Sequence, residues 1–297
     1  FNDVQNRGCI LGFDNRFGNE ILAMKIIDIM TTNGIKVYYA GEASTGTLSA
    51  SVLQRRAAFS INLTPSHNPL EYAGFKFNGA DAGPASPIIT EEITRRATKL
   101  LTTSRKSFTR NNVLVQPINA LDDWIALTKT GEKDHGLNYD SIINAFLKTD
   151  NFSVVIDCVH GASRVDIKKF FKGLQSERLQ FLRTTEDTTF GGIAPEPSSV
   201  NIRPALNALA NMDGPLKLGV IMDPDADRIR FTDGTTEINM NYFGAMAYHY
   251  LHEKKHKHGM VAKTVATSNL ANAIAEKLNE KVFEPRVGFK EFKPVIH

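Results

Sequence analysis

Leu216-Lys217-Leu218-Gly219-Val220-Ile221-Met222-Asp223-Pro224-Asp225-Ala226-Asp227-Arg228 joins an apolar run to three alternating carboxylates, and its reading decides the fold. The run through Met222 reads as a buried strand, and ligands of open α/β sheets bind beyond the carboxyl ends of such strands. Residues at alternate positions of an extended backbone project to one side. Asp223, Asp225 and Asp227 are therefore expected to converge on one cation. Oxygen-only ligation suits a hard ion such as Mg²⁺, so a metal-assisted reaction on a phosphate is the first expectation. A helix-loop-helix calcium loop would need Gly at its sixth position and Glu at its twelfth. Those places hold Arg228 and Gly234, which excludes it. The plainer alternative is an acidic solvated turn, since Asp and Pro favour turns.

Working outward, one layout recurs along the chain: strand, polar turn, amphipathic helix, strand. Cys9–Phe13 reads as a strand, followed by a helix presenting Leu22, Ile26, Ile29 and Met30 on one face and stopped by Gly34. Ile35–Ala40 and Phe59–Leu63 read as further strands flanking a helix through Leu48–Arg56. A second pass runs Ser153–Cys158, a helix at Ser163–Lys172, Leu179–Arg183, a helix at Arg203–Asn211, and Leu216–Met222. A third, shorter pass has Ala262–Ala266, a helix at Leu270–Leu278, and Lys281–Pro285. Such alternation predicts an α/β protein of consecutive three-layer α/β/α domains with mixed, mostly parallel sheets around a shared cleft. Linkers are expected near Thr128–Leu137 and Gly234–Asn239, giving domains at 1–134, 135–236 and 237–297.

Bulk properties narrow the class of function. The chain has 297 residues, 42% of them apolar and 23% charged, which is ordinary for a globular protein. A net charge of +3 is too small to make nucleic acid or a membrane surface an obligatory partner. Lys254-Lys255-His256-Lys257-His258 reads as a solvated helix end with cations at the negative pole of the dipole. Cys9 and Cys158 lie in apolar runs and are expected in the core, reduced, in a cytoplasmic protein. No apolar run approaches the length of a bilayer crossing. A start at Phe1 in place of Met suggests a fragment of something longer.

Thr64-Pro65-Ser66-His67-Asn68-Pro69 follows the strand ending at Leu63 and so sets a hydroxyl at a strand end beside a histidine. A serine there can carry a phosphoryl group, or the segment can be an ordinary turn. Together with Gly74-Phe75-Lys76, the acidic stretch and Val287-Gly288-Phe289-Lys290, it occurs in an order and spacing that resemble the α-D-phosphohexomutase superfamily, and its phosphoglucomutase branch in particular. The resemblance covers nearly the whole chain. It implies four α/β domains around a cleft, Ser66 as phosphoryl donor and acceptor, and Mg²⁺ held by Asp223, Asp225, Asp227 and a phosphoserine oxygen. Lys76 and Arg228 would be the active-site cations, and Gly288 and Lys290 would open a sugar-reading loop. Arg16, in Gly12-Phe13-Asp14-Asn15-Arg16, would orient the serine loop, with a surface salt bridge as its plain alternative. His67 would serve as acid or base, or more simply hold the loop. Asp157, His160 and Gly161 match a segment with a structural task.

The implied reaction interconverts hexose 1-phosphate and hexose 6-phosphate, glucose favoured, through glucose 1,6-bisphosphate as intermediate and activator. Pro65 and Phe289 lean toward phosphoglucomutase over phosphomannomutase. The chain departs from the pattern in lacking an N-terminal Thr-Ser-Gly-x-Arg segment and a fourth-domain Ser-Gly-Thr loop, and Ser44-Thr45-Gly46-Thr47 lacks the prolines usual at its position. Two alternatives therefore stand beside the enzyme. One is a truncated or degenerate homologue that binds phosphosugar or a protein partner without mutase activity. The other is a Mg²⁺-dependent phosphatase with an aspartyl nucleophile, in which Ser66 would have no role.

Overall fold

The computed structural model describes residues 2–103 and 107–295, divided into a compact unit of residues 1–235 and another of 236–297. The first unit opens with α1 (Asn2–Arg7), β1 (Cys9–Phe13), α2 (Asn19–Thr32), β2 (Val37–Glu42), α3 (Thr45–Arg55) and β3 (Phe59–Leu63). It continues with β4 (Lys76–Asn78), α4 (Pro87–Leu101), β5 (Val115–Pro117) and α5 (Ala120–Thr130). These strands form one sheet in the order β4-β3-β1-β2-β5. β1 pairs in parallel with β2 and β3, and β4 returns antiparallel on β3. Both faces of the sheet are apolar because helices cover both: Cys9, Leu11, Ile27, Val37 and Ile61 pack on one side, and Ile10, Leu48, Val52 and Ala57 on the other.

After α6 (Glu132–His135) and α7 (Tyr139–Lys148) a second sheet is built from β6 (Phe152–Asp157), β7 (Leu179–Leu182), β8 (Leu216–Met222) and β9 (Ile229–Thr232), with α8 (Ser163–Phe170) and α9 (Arg203–Ala210) between. β6 lies between β7 and β8, parallel to both, and β9 is antiparallel to β8. Val155, Leu209 and Ile221 fill one face, and Phe146, Val154 and Val220 the other. The remaining unit contains β10 (Glu237–Ile238), α10 (Met240–Lys255), β11 (Val261–Ala262), α11 (Leu270–Lys277) and β12 (Val282–Phe283), followed by a 3-10 stretch at Phe289–Val295. β11 and β12 pair in parallel.

The expected strands at Cys9–Phe13, Phe59–Leu63 and Leu216–Met222 coincide with β1, β3 and β8, and both cysteines are buried and free. Three expectations are corrected. The inward face of α2 is Asn19, Ala23, Ile27 and Thr31, while Leu22 and Ile29 face outward. Asn19 fixes this rotation by donating from its amide to Asp14 Oδ1 (2.8 Å) and the Leu63 carbonyl (2.9 Å). The expected linker at Thr128–Leu137 is folded: α5 runs to Thr130, α6 follows, and His135 Nε2 lies 2.9 Å from the Thr128 carbonyl. The expected strand Ile35–Ala40 is displaced to Val37–Glu42, with an irregularity where Gly41 pairs with Gly12.

Candidate active site

The serine loop leaves β3 at Leu63 and is held from beneath by a buried arginine. Ser66 itself is buried and takes a left-handed backbone (φ 57°), a conformation that costs about 1–3 kcal/mol and persists only where surroundings enforce it. Arg16 supplies that enforcement. Its guanidinium donates to the carbonyls of Ser66 (2.8 Å), Asn68 (2.5 Å) and Pro69 (2.8 Å). The Ser66 amide donates to Thr64 Oγ1 (2.8 Å), whose hydroxyl donates to Asp14 Oδ2 (2.7 Å). Burial pushes the Asp14 carboxyl up to about 6, against the Thr64 hydrogen bond and the Arg16 charge.

The acids follow β8 as expected but do not converge by extended alternation. Residues 223–228 form a tight turn in which Ala226 is left-handed (φ 55°) and its amide donates to the Asp223 carbonyl (3.0 Å). Asp223 Oδ1 caps the turn by accepting from the amides of Asp227 and Arg228, each at 3.1 Å. Oxygens of the three carboxylates still lie within 4.8 Å of one another.

The two loops meet. Ser66 Oγ donates to Asp223 Oδ2 at 2.6 Å, across 157 positions of sequence. Lys76, at the start of β4, donates to Asp225 Oδ2 (2.6 Å) and Asp227 Oδ2 (3.0 Å). Burial, and then the Asp225 charge, push Asp223 up to about 7. Burial also acts to raise Asp225, but the Lys76 ammonium holds it below the ordinary carboxylate range. Lys76 is in turn held above its ordinary value by these carboxylates, against the effect of burial.

Asp225 Oδ1 is buried without a hydrogen-bond partner, an arrangement that normally costs free energy. An all-oxygen set with one such orphaned lone pair, next to a hydroxyl and two further carboxylates, fits a hard divalent ion such as Mg²⁺. Arg228 gives the turn its backbone amide and leaves its side chain exposed. Burial, with the Arg228 charge second, holds the His67 imidazole below its ordinary value. Gly288 and Lys290 belong to the other compact unit, Gly288 just before the 3-10 stretch and Lys290 within it.

Several further residues support the site, none of them given a chemical role from the sequence. Thr45 at the start of α3 donates its hydroxyl to Asp225 Oδ2 (2.5 Å) and its amide to the Asp225 carbonyl (2.9 Å). The Asn62 amide supports the Thr45 hydroxyl at 3.0 Å. Glu42 accepts from Arg164 at 2.7 Å. Gly161 packs so tightly on the acidic turn that a Cβ would lie 2.6 Å from Pro224 Cα, and the next amide, of Ala162, donates to the Pro224 carbonyl (2.7 Å). That supports the structural task expected of this segment. Thr45 lay in the noted Ser44-Thr45-Gly46-Thr47 stretch and Gly161 in a segment expected to be structural, whereas Asn62 and Glu42 carried no signal.

Comparison with known proteins places these loops in a family context. Residues 2–103, 134–236 and 239–297 match, in order, alpha/beta/alpha domains I, II and III of phosphoglucomutase/phosphomannomutase. The chain belongs to the phosphoglucomutase/phosphomannomutase family. Within that family, a phosphoglucomutase of Staphylococcus haemolyticus is 26% identical over 98% of this chain and 54% of its own length. A cytoplasmic phosphoglucomutase of Mesembryanthemum crystallinum is 25% identical over 97% and 55%. A candidate phosphomannomutase of Thermus thermophilus superposes with a TM-score of 0.81 at 25% identity, covering 99% of this chain and 64% of that one. Pp63/parafusin of Paramecium, in an open form, gives a TM-score of 0.77 at 22% identity, covering 98% and 57%. The chain thus spans about half the length of the curated relatives it matches, and these phosphoglucomutase/phosphomannomutase relatives are mutases by name.

Proposed function

We propose that this chain carries the phosphoryl-transfer centre of a phosphohexomutase acting on glucose phosphates. What supports this reading most is the Ser66 hydroxyl, 2.6 Å from an Asp223 carboxylate oxygen. A serine built only to turn the chain has no need of burial, a left-handed backbone and a carboxylate at hydrogen-bond distance. In the proposed step the bond between phosphorus and a sugar oxygen of glucose 1,6-bisphosphate breaks, a bond from phosphorus to Ser66 Oγ forms, and the serine hydrogen ends on the sugar oxygen. Bound Mg²⁺ would supply charge neutralisation, with Asp223, Asp225, Asp227 and Ser66 holding it.

The chain's own residues supply the rest. Arg16 fixes the height of Ser66, Lys76 and Arg228 offset phosphoryl charge, and His67 supports the loop from its shielded position. Gly288 and Lys290 are assigned to sugar recognition, and a cytoplasmic setting fits the reduced cysteines. Among the described residues no helix is long and apolar enough to cross a membrane.

The test is incubation of the purified chain with glucose 1,6-bisphosphate and Mg²⁺, read by intact mass and peptide mapping. Phosphate is expected on Ser66 alone and absent in Ser66→Ala, with labelling slowed by a chelator and by Asp225→Asn. Phosphate on an aspartate would instead establish the phosphatase-type nucleophile. Binding of the sugar bisphosphate with no labelling would leave the degenerate homologue.

A further inference from the structure

The second unit holds a cluster that the proposed reaction does not use. α10 ends with His252 in its last turn, and His256 then adopts a left-handed backbone (φ 52°) while the Lys257 amide donates back to the Leu251 carbonyl (3.0 Å). This cap folds the basic tail onto the helix, so that His258 Nδ1 lies 3.0 Å from His252 Nε2, with the rings edge-on at 90°. Glu280, just before β12, completes the group: its Oε1 is 3.7 Å from His252 Nε2 and 3.6 Å from His258 Nδ1.

These separations, 3.0, 3.6 and 3.7 Å, bracket the ligand spacing of a small coordination polyhedron. With zinc–nitrogen and zinc–oxygen bonds of about 2.0–2.2 Å, the ligand atoms on one face of a tetrahedron stand about 3.3–3.6 Å apart. Without an ion the two ring nitrogens share one proton, one donating its N–H to the lone pair of the other; a bound dication would take both lone pairs. Supporting groups are also in place. The Gly259 amide donates to Glu280 Oε1 at 3.2 Å, fixing the carboxylate. His252 Nδ1 is buried without a hydrogen-bond partner, 3.7 Å from Glu253 Oε1, where a ligating imidazole would carry its proton toward a carboxylate. The Tyr248 hydroxyl, one turn earlier in α10, is likewise buried without a partner.

We propose that His252, His258 and Glu280 form a binding site for a first-row transition-metal dication of the zinc class. Two imidazoles and one carboxylate suit such an ion and not Mg²⁺, which prefers oxygen. The exposed His258 leaves a fourth position open to water. The site ties the end of α10 to the turns that precede β11 and β12, at the amino ends of two parallel strands. Ligands of open α/β sheets bind at the opposite ends, which makes the site a structural or regulatory staple and not a reaction centre.

The experiment is calorimetric titration of the untagged full chain with Zn²⁺ in saturating Mg²⁺, backed by the visible spectrum of bound Co²⁺. One equivalent of Zn²⁺ is expected, with four-coordinate cobalt bands and a raised unfolding temperature. His258→Ala and Glu280→Gln should each weaken binding at least tenfold, while Asp225→Asn and His256→Ala should leave it unchanged. His258 is 64% exposed at its side chain, so its replacement does not threaten the fold. Superimposable titrations of the wild type and His258→Ala would overturn the proposal. So would loss of the zinc equivalent in Asp225→Asn, which places the ion at the acidic trio, or in His256→Ala, which reduces the site to a basic histidine-rich turn.

Discussion

Arg16 shows how burial settles what a single letter of sequence leaves open. Beside Asp14 it could equally have formed an exposed ion pair; instead its side chain is 4% exposed and its nitrogens end on three carbonyls of the serine loop. A lysine has one compact ammonium in place of the planar fork and cannot span those acceptors. Arg16→Lys should therefore cost about 2–4 kcal/mol of stability, read from urea unfolding, and should slow Ser66 labelling at least tenfold because the hydroxyl is no longer held in place. Stability lost with labelling intact would reduce Arg16 to a packing residue. The serine and the acids were legible because each follows a strand within a short, distinctive loop. Thr45 was not, since its partner Asp225 lies 180 positions away and a threonine beside the capping Ser44 reads as part of an ordinary helix start.

At the scale of elements, legibility followed the strength of the apolar pattern. β1 is a continuous apolar run, β3 alternates apolar with polar residues, β8 is apolar apart from Lys217, and all three were read to the residue. α2 carries apolar side chains nearly all round, including Ile21, Leu22, Met24, Ile26, Ile27, Ile29 and Met30, so periodicity alone could not choose its buried face; the polar Asn19 did. β4, only three residues long and antiparallel, had no pattern of its own. Its position depends on Gly74, where a Cβ would fall 2.1 Å from the Thr64 carbonyl oxygen and 2.5 Å from Pro65 N. This close approach brings Lys76 back toward the acids. Gly74→Ala should cost about 2–4 kcal/mol through overpacking against backbone. Gly46→Ala, on α3 with nothing within 4 Å of the added methyl, should stabilise by up to about 1 kcal/mol. Denaturant midpoints that move in opposite directions support this account of the hairpin, and equal shifts contradict it.

For the molecule as a whole, the strand–helix alternation foretold consecutive α/β domains, but not how the first two join into one compact unit. Their apolar clusters are separate, one pair per sheet, and the joins singled out here are polar: Thr45 to Asp225, Asn15 to the Asp187 carbonyl at 3.0 Å, and Glu42 to Arg164 at 2.7 Å. Polar joins between distant positions leave no periodic trace in a sequence. They also make the junction sensitive to pH. Burial pushes the Glu42 carboxyl from an ordinary 4.5 to about 7, with the Arg164 charge opposing. The folded state therefore binds this proton more tightly than the unfolded chain does. Its stabilising contribution is full below pH 4.5 and is lost as pH rises through 7. Glu42→Gln removes the titration and keeps an amide able to accept from Arg164. Between pH 5 and 7 the wild type should thus lose about 1–2 kcal/mol relative to the variant, after allowance for solvent screening. Unfolding free energies measured at half-unit steps check this directly. Parallel curves would mean that Glu42 stays ionised throughout and that the junction is held by an ordinary ion pair.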